Sequence, residues 1–269
     1  MRATLRDLVK KAAGLHAQSG VKPLRDLKRL GSHLHHYHVP EHLLDAASVC
    51  YCIGAGEDIS FDVELKTQYD CQVFIFDPTP YGINHFAKLK ESVANGRRLG
   101  LPSQSGHDYV YDIGPRQLAQ IEYVPVGVWN ERTVLVFRDP EKQHYPSYSV
   151  CFFTDATKTI EAPVDRLGNL MKQHGHAAID LVKIEIEGAE YVVIDTIIED
   201  RLDIKVILVE FDEVYNSKGR GYHFRIKRCT DKLLKAGYVL VHSSPEFKRT
   251  FVREDVYGTL KAREVARGG

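Results

Sequence analysis

Apolar positions along this chain follow two rhythms. From residue 49 onward, short and nearly continuous apolar runs alternate with stretches in which apolar residues recur every three or four positions. Residues 49–53, 72–76, 121–126, 179–186 and 205–211 read as buried strands, rich in Val, Ile, Leu and Phe. Residues 59–65, 164–174, 189–198 and 224–236 read as helices. Strands alternating with helices predict a mostly parallel sheet with helices on both faces, an α/β fold. Residues 237–242 and 250–253 predict a closing strand pair that adds one antiparallel strand. Residues 133–137 and 148–153 read as a hairpin pair, and 96–116, rich in Gly, Pro, Ser and Arg, as a loop or insertion.

The flanks read differently. Leu5, Leu8, Val9, Ala12 and Leu15 have helical spacing, Gly20 stops them, and a second helical pattern runs from Leu24 to Leu30 before Gly31. The expected organisation is therefore a helical N-terminal extension over residues 1–44, a main domain over 45–257, and a basic, frayed tail over 258–269.

Composition adds little to the fold but constrains function. Lys plus Arg equals Asp plus Glu at 36 each, so net charge gives no general argument for a nucleic-acid partner. The balance is local: residues 1–40 carry eight Lys/Arg and two acids. The plain reading is a solvated basic face; the sharper one is a contact with a phosphorylated or anionic-lipid-linked substrate, or peripheral contact with a membrane. Five cysteines form no C-x-x-C pair, and Cys50 and Cys52 sit in an apolar run as small hydrophobes. The odd count, with no signal-peptide pattern, points to a reducing, cytoplasmic setting. No apolar run approaches the roughly 18 residues of a membrane-spanning helix. The tract from His33 to His38 carries no carboxylate or cysteine at ligand spacing, which favours a structural or substrate-side segment over a metal site.

Candidate chemistry gathers at strand ends. Gly54-Ala55-Gly56-Glu57-Asp58 follows the first of these strands, and a glycine turn there lets a ligand approach the backbone. Asp77 ends the next strand about 20 residues later, where a doubly wound fold places a carboxylate for ribose hydroxyls; the alternative is a cap on the following helix. The stretch Asp180-Leu181-Val182-Lys183-Ile184-Glu185-Ile186-Glu187-Gly188-Ala189-Glu190 puts Lys183, Glu185 and Glu187 on one face of an apolar strand. Charges are rarely buried unpaired, so a polar cavity is expected at that end. Glu210 and Asp212 share a face at the next strand's end.

Taken together, Ile53-Gly54-Ala55-Gly56, Phe76-Asp77-Pro78 and the Asp180–Glu190 stretch resemble the FkbM-type S-adenosylmethionine-dependent methyltransferases, whose pattern reads D-L-L-K-I-D-V-E-G-A-E. Pro125-Val126-Gly127-Val128-Trp129-Asn130 is similar to the segment near the adenine, and the resemblance runs from about residue 49 to 253. Two departures stand out. Cys52 occupies the place of an acid before the glycine turn, and Glu57-Asp58 stand where Asn and a second Gly are usual.

The resemblance implies a Rossmann-like, seven-stranded class I methyltransferase fold and S-adenosylmethionine as cofactor. Gly54, Ala55, Gly56, Glu57, Asp58, Asp77, Pro78, Val126, Gly127 and Glu185 are the candidate cofactor residues. It further implies O-methylation of a sugar hydroxyl in a glycan, glycolipid or secondary metabolite. Such a hydroxyl needs a base as it attacks; Glu187, His223 and Asp212 are candidates, with Lys183 holding Glu187. No metal ligand set is expected. A catalytically silent cofactor-binding accessory protein and an RNA methyltransferase stay open as alternatives.

Overall fold

The central sheet forms where strands are apolar on both faces. In the computed structural model, which describes residues 14–104, 106–139, 147–152, 156–213 and 221–268, all five residues of β3 (Val49–Ile53) are buried, as are six of eight in β12 (Asp203–Glu210). Strands buried on both faces need helices on both faces. The other strands of this sheet are β4 (Gln72–Phe76), β7 (Ile121–Val124), β11 (Ala178–Ile184), β13 (Tyr238–Ser243) and β14 (Lys248–Arg253). Their order is β13-β14-β12-β11-β3-β4-β7. Both pairings of β14, with β12 and with β13, are antiparallel, whereas the pairings from β12 across to β7 are parallel. The expected single antiparallel strand is therefore β14.

The chain lays β3, β4 and β7 outward in one direction. It then returns to place β11 beside β3 and continues the other way. The crevice outside the strand ends at such a reversal is where open α/β sheets bind ligands. At this point the Glu185 amide donates to the Ile53 carbonyl at 3.0 Å. Gly54 takes φ +88°, and a Cβ there would lie 1.8 Å from the Glu185 carbonyl oxygen, so only glycine fits.

One face of the sheet is covered by α1 (Ser60–Tyr69), α2 (Pro80–Ala94), α3 (Pro115–Leu118) and α7 (Glu254–Gly268). The other is covered by α4 (Leu167–Gln173), α5 (Glu190–Glu199) and α6 (Tyr222–Lys235). A small sheet, β8 (Gly127–Trp129), β10 (Thr159–Arg166) and β9 (Thr133–Arg138), bridges β7 to α4. The pair β5 (Gly100–Gln104) and β6 (His107–Val110) lies within the expected loop region.

Several expectations are corrected. The helical N-terminal extension is not found among the described residues; its first helix falls mostly on residues 1–13, outside them. The second is instead β1 (Leu27–Gly31), paired antiparallel with β2 (His36–Pro40). Leu24, Leu27 and Leu30 imitate a helical stripe, but Gly31 at φ +101° turns the chain back so closely that a Cβ would meet the His35 carbonyl at 2.3 Å. Tertiary packing of Leu30, Tyr37 and Val39 on the sheet overrides the local pattern. Strand β9 pairs with β10; of the expected partner 148–153, residue 153 lies outside the described residues, and 148–152 make one isolated bridge, between Ser149 and Arg138. Residues 164–166, read as helix, belong to β10. The frayed tail is helix α7, with Leu260 buried.

Candidate active site

Lys183 lies near the end of β11 with its side chain 3% exposed. An ammonium that deep needs partners. Its Nζ donates to the Gly54 carbonyl at 2.7 Å and approaches Glu185 Oε2 at 3.3 Å and Asp62 Oδ2 at 3.9 Å. Burial opposes its charged form, but Asp62 and Glu185 outweigh that and raise its pKa. Asp62, in the first turn of α1, is fully buried, and burial lifts its pKa despite Lys183. Lys183 stands opposite Cys52 in the sheet register. The carboxylate missing at position 52 is thus supplied near Lys183 by α1.

Glu185 is held from three sides. His35 Nδ1 lies 2.9 Å from its Oε1, the Tyr37 hydroxyl donates to Oε2 at 2.9 Å, and Lys183 sits beside Oε2. Burial would favour the neutral acid, but Lys183 and His35 hold the carboxyl well below its ordinary range. His35, Tyr37 and Val39 continue one alternating face, with Tyr37 and Val39 buried and His36 and His38 only partly so. The sequence reads this tract as a structural or substrate-side segment without assigning its residues; the alternation of Tyr37 and Val39 is the signal that it folds onto the sheet.

Asp77 follows β4 and holds the backbone on both sides of it. Its Oδ2 accepts the amides of Ala55 (2.8 Å) and Gly56 (3.0 Å), and its Oδ1 accepts that of Thr79 (2.7 Å), the cap of α2. A carboxylate offers about four acceptor sites, so one remains. The Tyr123 hydroxyl is buried without a hydrogen-bond partner. A Cβ on Gly82 would fall 2.5 Å from it and 2.8 Å from Asp77 Oδ2, which places the two groups together. A Cβ on Gly56 would meet nothing within 4 Å. Asp77 thus keeps one acceptor site, and Tyr123 an unpaired donor, beside the open turn at Gly56. Pro78 lies against Gly127.

The motif's end forms a second acidic group. Glu187 adopts φ +54°, which ends the strand alternation that would keep its side chain on the Lys183 face. Its amide donates to Asp212 Oδ2 at 3.0 Å, and its carbonyl accepts from Ser149 Oγ at 2.7 Å. Gly188 follows at φ +101°, where a Cβ would strike the Phe152 ring at 2.6 Å. Glu190 Oε1 accepts the amides of Ile186 (3.1 Å) and Gly188 (3.0 Å). Burial pushes Glu190 up to about 7 and, with Glu187 and Glu190 close by, raises Asp212 well above its usual range. Burial and mutual repulsion thus both favour the neutral form of these carboxyls. Glu210, also raised to about 7 by burial and Glu185, is paired with Lys248 at 2.7 Å.

The remaining candidates lie further out. Asp58 caps the Ser60 amide and accepts from Ser32 Oγ, whereas Glu57 is exposed. Val126 is partly buried. His223 stands in the first turn of α6 against Tyr222 and Phe247. Sequence reasoning missed His35, Tyr37, Glu190 and Asp62. Among the described residues no group of three or more His, Cys, Asp and Glu could hold a metal, and no helix is long and apolar enough to cross a membrane.

A glycine turn, an acid-tipped second strand and buried charges at the sheet's reversal define a Rossmann-like enzyme whose site lies at the strand ends. The methyltransferase FkbM domain model matches residues 49–240, and the chain belongs to that family. It is thus an S-adenosylmethionine-dependent methyltransferase. No curated protein matches the chain. Among solved structures it is similar to a precorrin-6y C5,15-methyltransferase from Geobacter metallireducens (14% identity, 79% of this chain and 84% of that one, TM-score 0.38). It is also similar to the Methanococcus jannaschii fibrillarin pre-rRNA processing protein (10% identity, 87% and 85%, TM-score 0.41). A third is an rRNA methylase from Streptococcus thermophilus (9% identity, 79% and 90%, TM-score 0.38). Likenesses this distant carry no argument about chemistry.

Proposed function

We propose that this enzyme methylates a hydroxyl oxygen, and that the acceptor is a sugar in a glycan, glycolipid or secondary metabolite. The observation that carries the reading is the acidic end of the sheet: Glu185 and Glu187 follow β11, Glu190 opens α5, and Glu210 and Asp212 stand at the end of β12. Carboxylates accept hydrogen bonds from hydroxyls and attract no phosphate backbone. That argues for a polyhydroxyl acceptor over RNA.

In this reading Gly54, Ala55 and Gly56 present backbone to the cofactor, Asp77 and Tyr123 take its ribose hydroxyls, and Pro78, Val126 and Gly127 line the base. When bound, S-adenosylmethionine supplies a methyl activated by its sulfonium. The chain's own task is to orient the acceptor, exclude water and receive its proton.

The test uses labelled S-adenosylmethionine with panels of oligosaccharides, small polyols and RNA, together with calorimetry of S-adenosylhomocysteine. Label on a sugar oxygen is expected, and Asp77→Ala should weaken S-adenosylhomocysteine by about tenfold or more, the cost of losing hydrogen bonds to a charged group. Label on RNA alone would replace the acceptor assignment. Absence of S-adenosylhomocysteine binding at millimolar ligand would remove the cofactor site described.

A further inference from the structure

We propose that His35, delivered by the N-terminal hairpin, is the base that takes the acceptor's proton, with Glu185 as its positioning partner. The inference rests on the hydroxyl-acceptor reading above.

The geometry begins with Glu185. An ionised carboxylate only accepts hydrogen bonds. Its Oε1 is 2.9 Å from His35 Nδ1, so the imidazole proton resides on Nδ1. The lone pair is thereby left on Nε2, the atom a base uses. Among the described residues Nε2 has no hydrogen-bond partner, and the His35 side chain is 40% exposed while Glu185 is 15% exposed. The carboxylate thus lies deeper than the ring it holds. The pair stands at the sheet reversal, since the Glu185 backbone bonds Ile53 and its carbonyl touches Gly54. Of the carboxyls nearby, Glu190 and Asp212 hold backbone amides, and Glu210 is tied to Lys248. None is as free to accept as Nε2.

The proton count closes. The acceptor O–H gives its proton to Nε2 as the oxygen bonds the methyl carbon, and the electrons of the breaking C–S bond remain on sulfur. The resulting imidazolium faces Glu185, and the proton leaves later to water. The groups facing the ring are Glu185 and Asp58, which favour its protonated form, and Lys248, which opposes it. Burial of the ring also opposes protonation, but the acids prevail and its pKa is raised from 6.5.

Two measurements test the proposal. The first needs no acceptor: nitrogen-15 NMR of the imidazoles, assigned by His35→Gln. A proton on Nδ1, a pKa above 6.5, and a fall of that pKa in Glu185→Gln are expected. A proton on Nε2, or a His35 pKa unmoved by Glu185→Gln, overturns the dyad. The second uses any hydroxyl acceptor the wild type methylates. His35→Gln should lower kcat by about 100- to 10,000-fold, keep S-adenosylhomocysteine affinity within about twofold, and abolish the acid limb of the pH–rate profile. The Glu185→Gln variant should move that limb to lower pH. A His35→Gln enzyme within threefold of wild type would refute the base assignment. Failure of the hydroxyl reading shows separately, as wild type placing label on no oxygen.

Discussion

At the scale of single residues, the energetics of this site are set by carboxyls that cannot all ionise. Glu190 is fully buried and raised to about 7, and burial with the neighbouring acids raises Asp212 well above its usual range. A carboxyl whose folded pKa exceeds its unfolded one binds more protons folded than unfolded. Its contribution to stability therefore declines as pH rises from the unfolded value through the folded value. His36 and His242 act oppositely: burial lowers both to about 4, so they withdraw stability only as pH falls below the ordinary histidine value. Above pH 6.5 these two histidines are neutral in both states, and the carboxyls decline together with His35, whose raised pKa also withdraws stability as pH rises through it. The apo-protein Tm should therefore fall between pH 6.5 and 8.5, and Glu190→Gln should flatten that decline. Gln keeps an acceptor for the Ile186 and Gly188 amides and carries no charge to bury. A Tm–pH profile of the variant parallel to wild type would show that Glu190 does not carry the proton.

At the scale of elements, the hairpin β1–β2 determines which carboxylate does what. It inserts Tyr37 and His35 against Glu185 and packs Leu30 and Val39 on the sheet. Its turn depends on Gly31, whose φ of +101° costs other residues about 1–2 kcal/mol before any clash. A Cβ 2.3 Å from the His35 carbonyl must also move the backbone that carries His35. The Gly31→Ala variant is expected to lose more than about 2 kcal/mol in urea unfolding. It should also return the His35 pKa toward 6.5. A variant as stable as wild type would mean the hairpin turns without this residue. The element also marks where sequence was legible. Strands β3, β4, β11 and β12 announced themselves because both faces are apolar, and their tips because glycine or acid follows immediately. The hairpin did not, because Leu24, Leu27 and Leu30 satisfy helical spacing as well as they satisfy packing on the sheet. The site residues that were read, Lys183, Glu185 and Asp77, lie in strands whose register is local. Of those missed, His35, Tyr37 and Asp62 reach the site across more than 100 residues of chain, contacts that no periodicity encodes, whereas Glu190 folds back locally onto the Ile186 and Gly188 amides.

At the scale of the whole molecule, the two flanks of the domain hold each other. Helix α7, which reads as a basic tail, lies on the same face as the hairpin, with Leu260 buried and Val256 and Tyr257 partly so. Its Glu264 accepts the amides of Arg25 (2.5 Å) and Asp26 (3.4 Å), and Arg263 donates to the His42 carbonyl at 3.2 Å. Glu264 is held below its ordinary pKa: burial works against its charge, but Lys261 and the Arg25 and Asp26 amides outweigh it. The segment entering the hairpin is therefore clamped by the last helix, 220 to 240 residues away in sequence. If that clamp supports the position of His35, ending the chain at Arg253 should do two things. It should remove about 3 kcal/mol of stability, the worth of burying Leu260 with the partial burial of Val256 and Tyr257. It should also broaden or shift the His35 imidazole resonances while leaving those of His174 and His176, which pack against Tyr51 and Phe74, in place. Loss of stability with an unchanged His35 would limit α7 to covering the sheet. Equal disturbance of all three histidines would show that the sheet itself requires the helix.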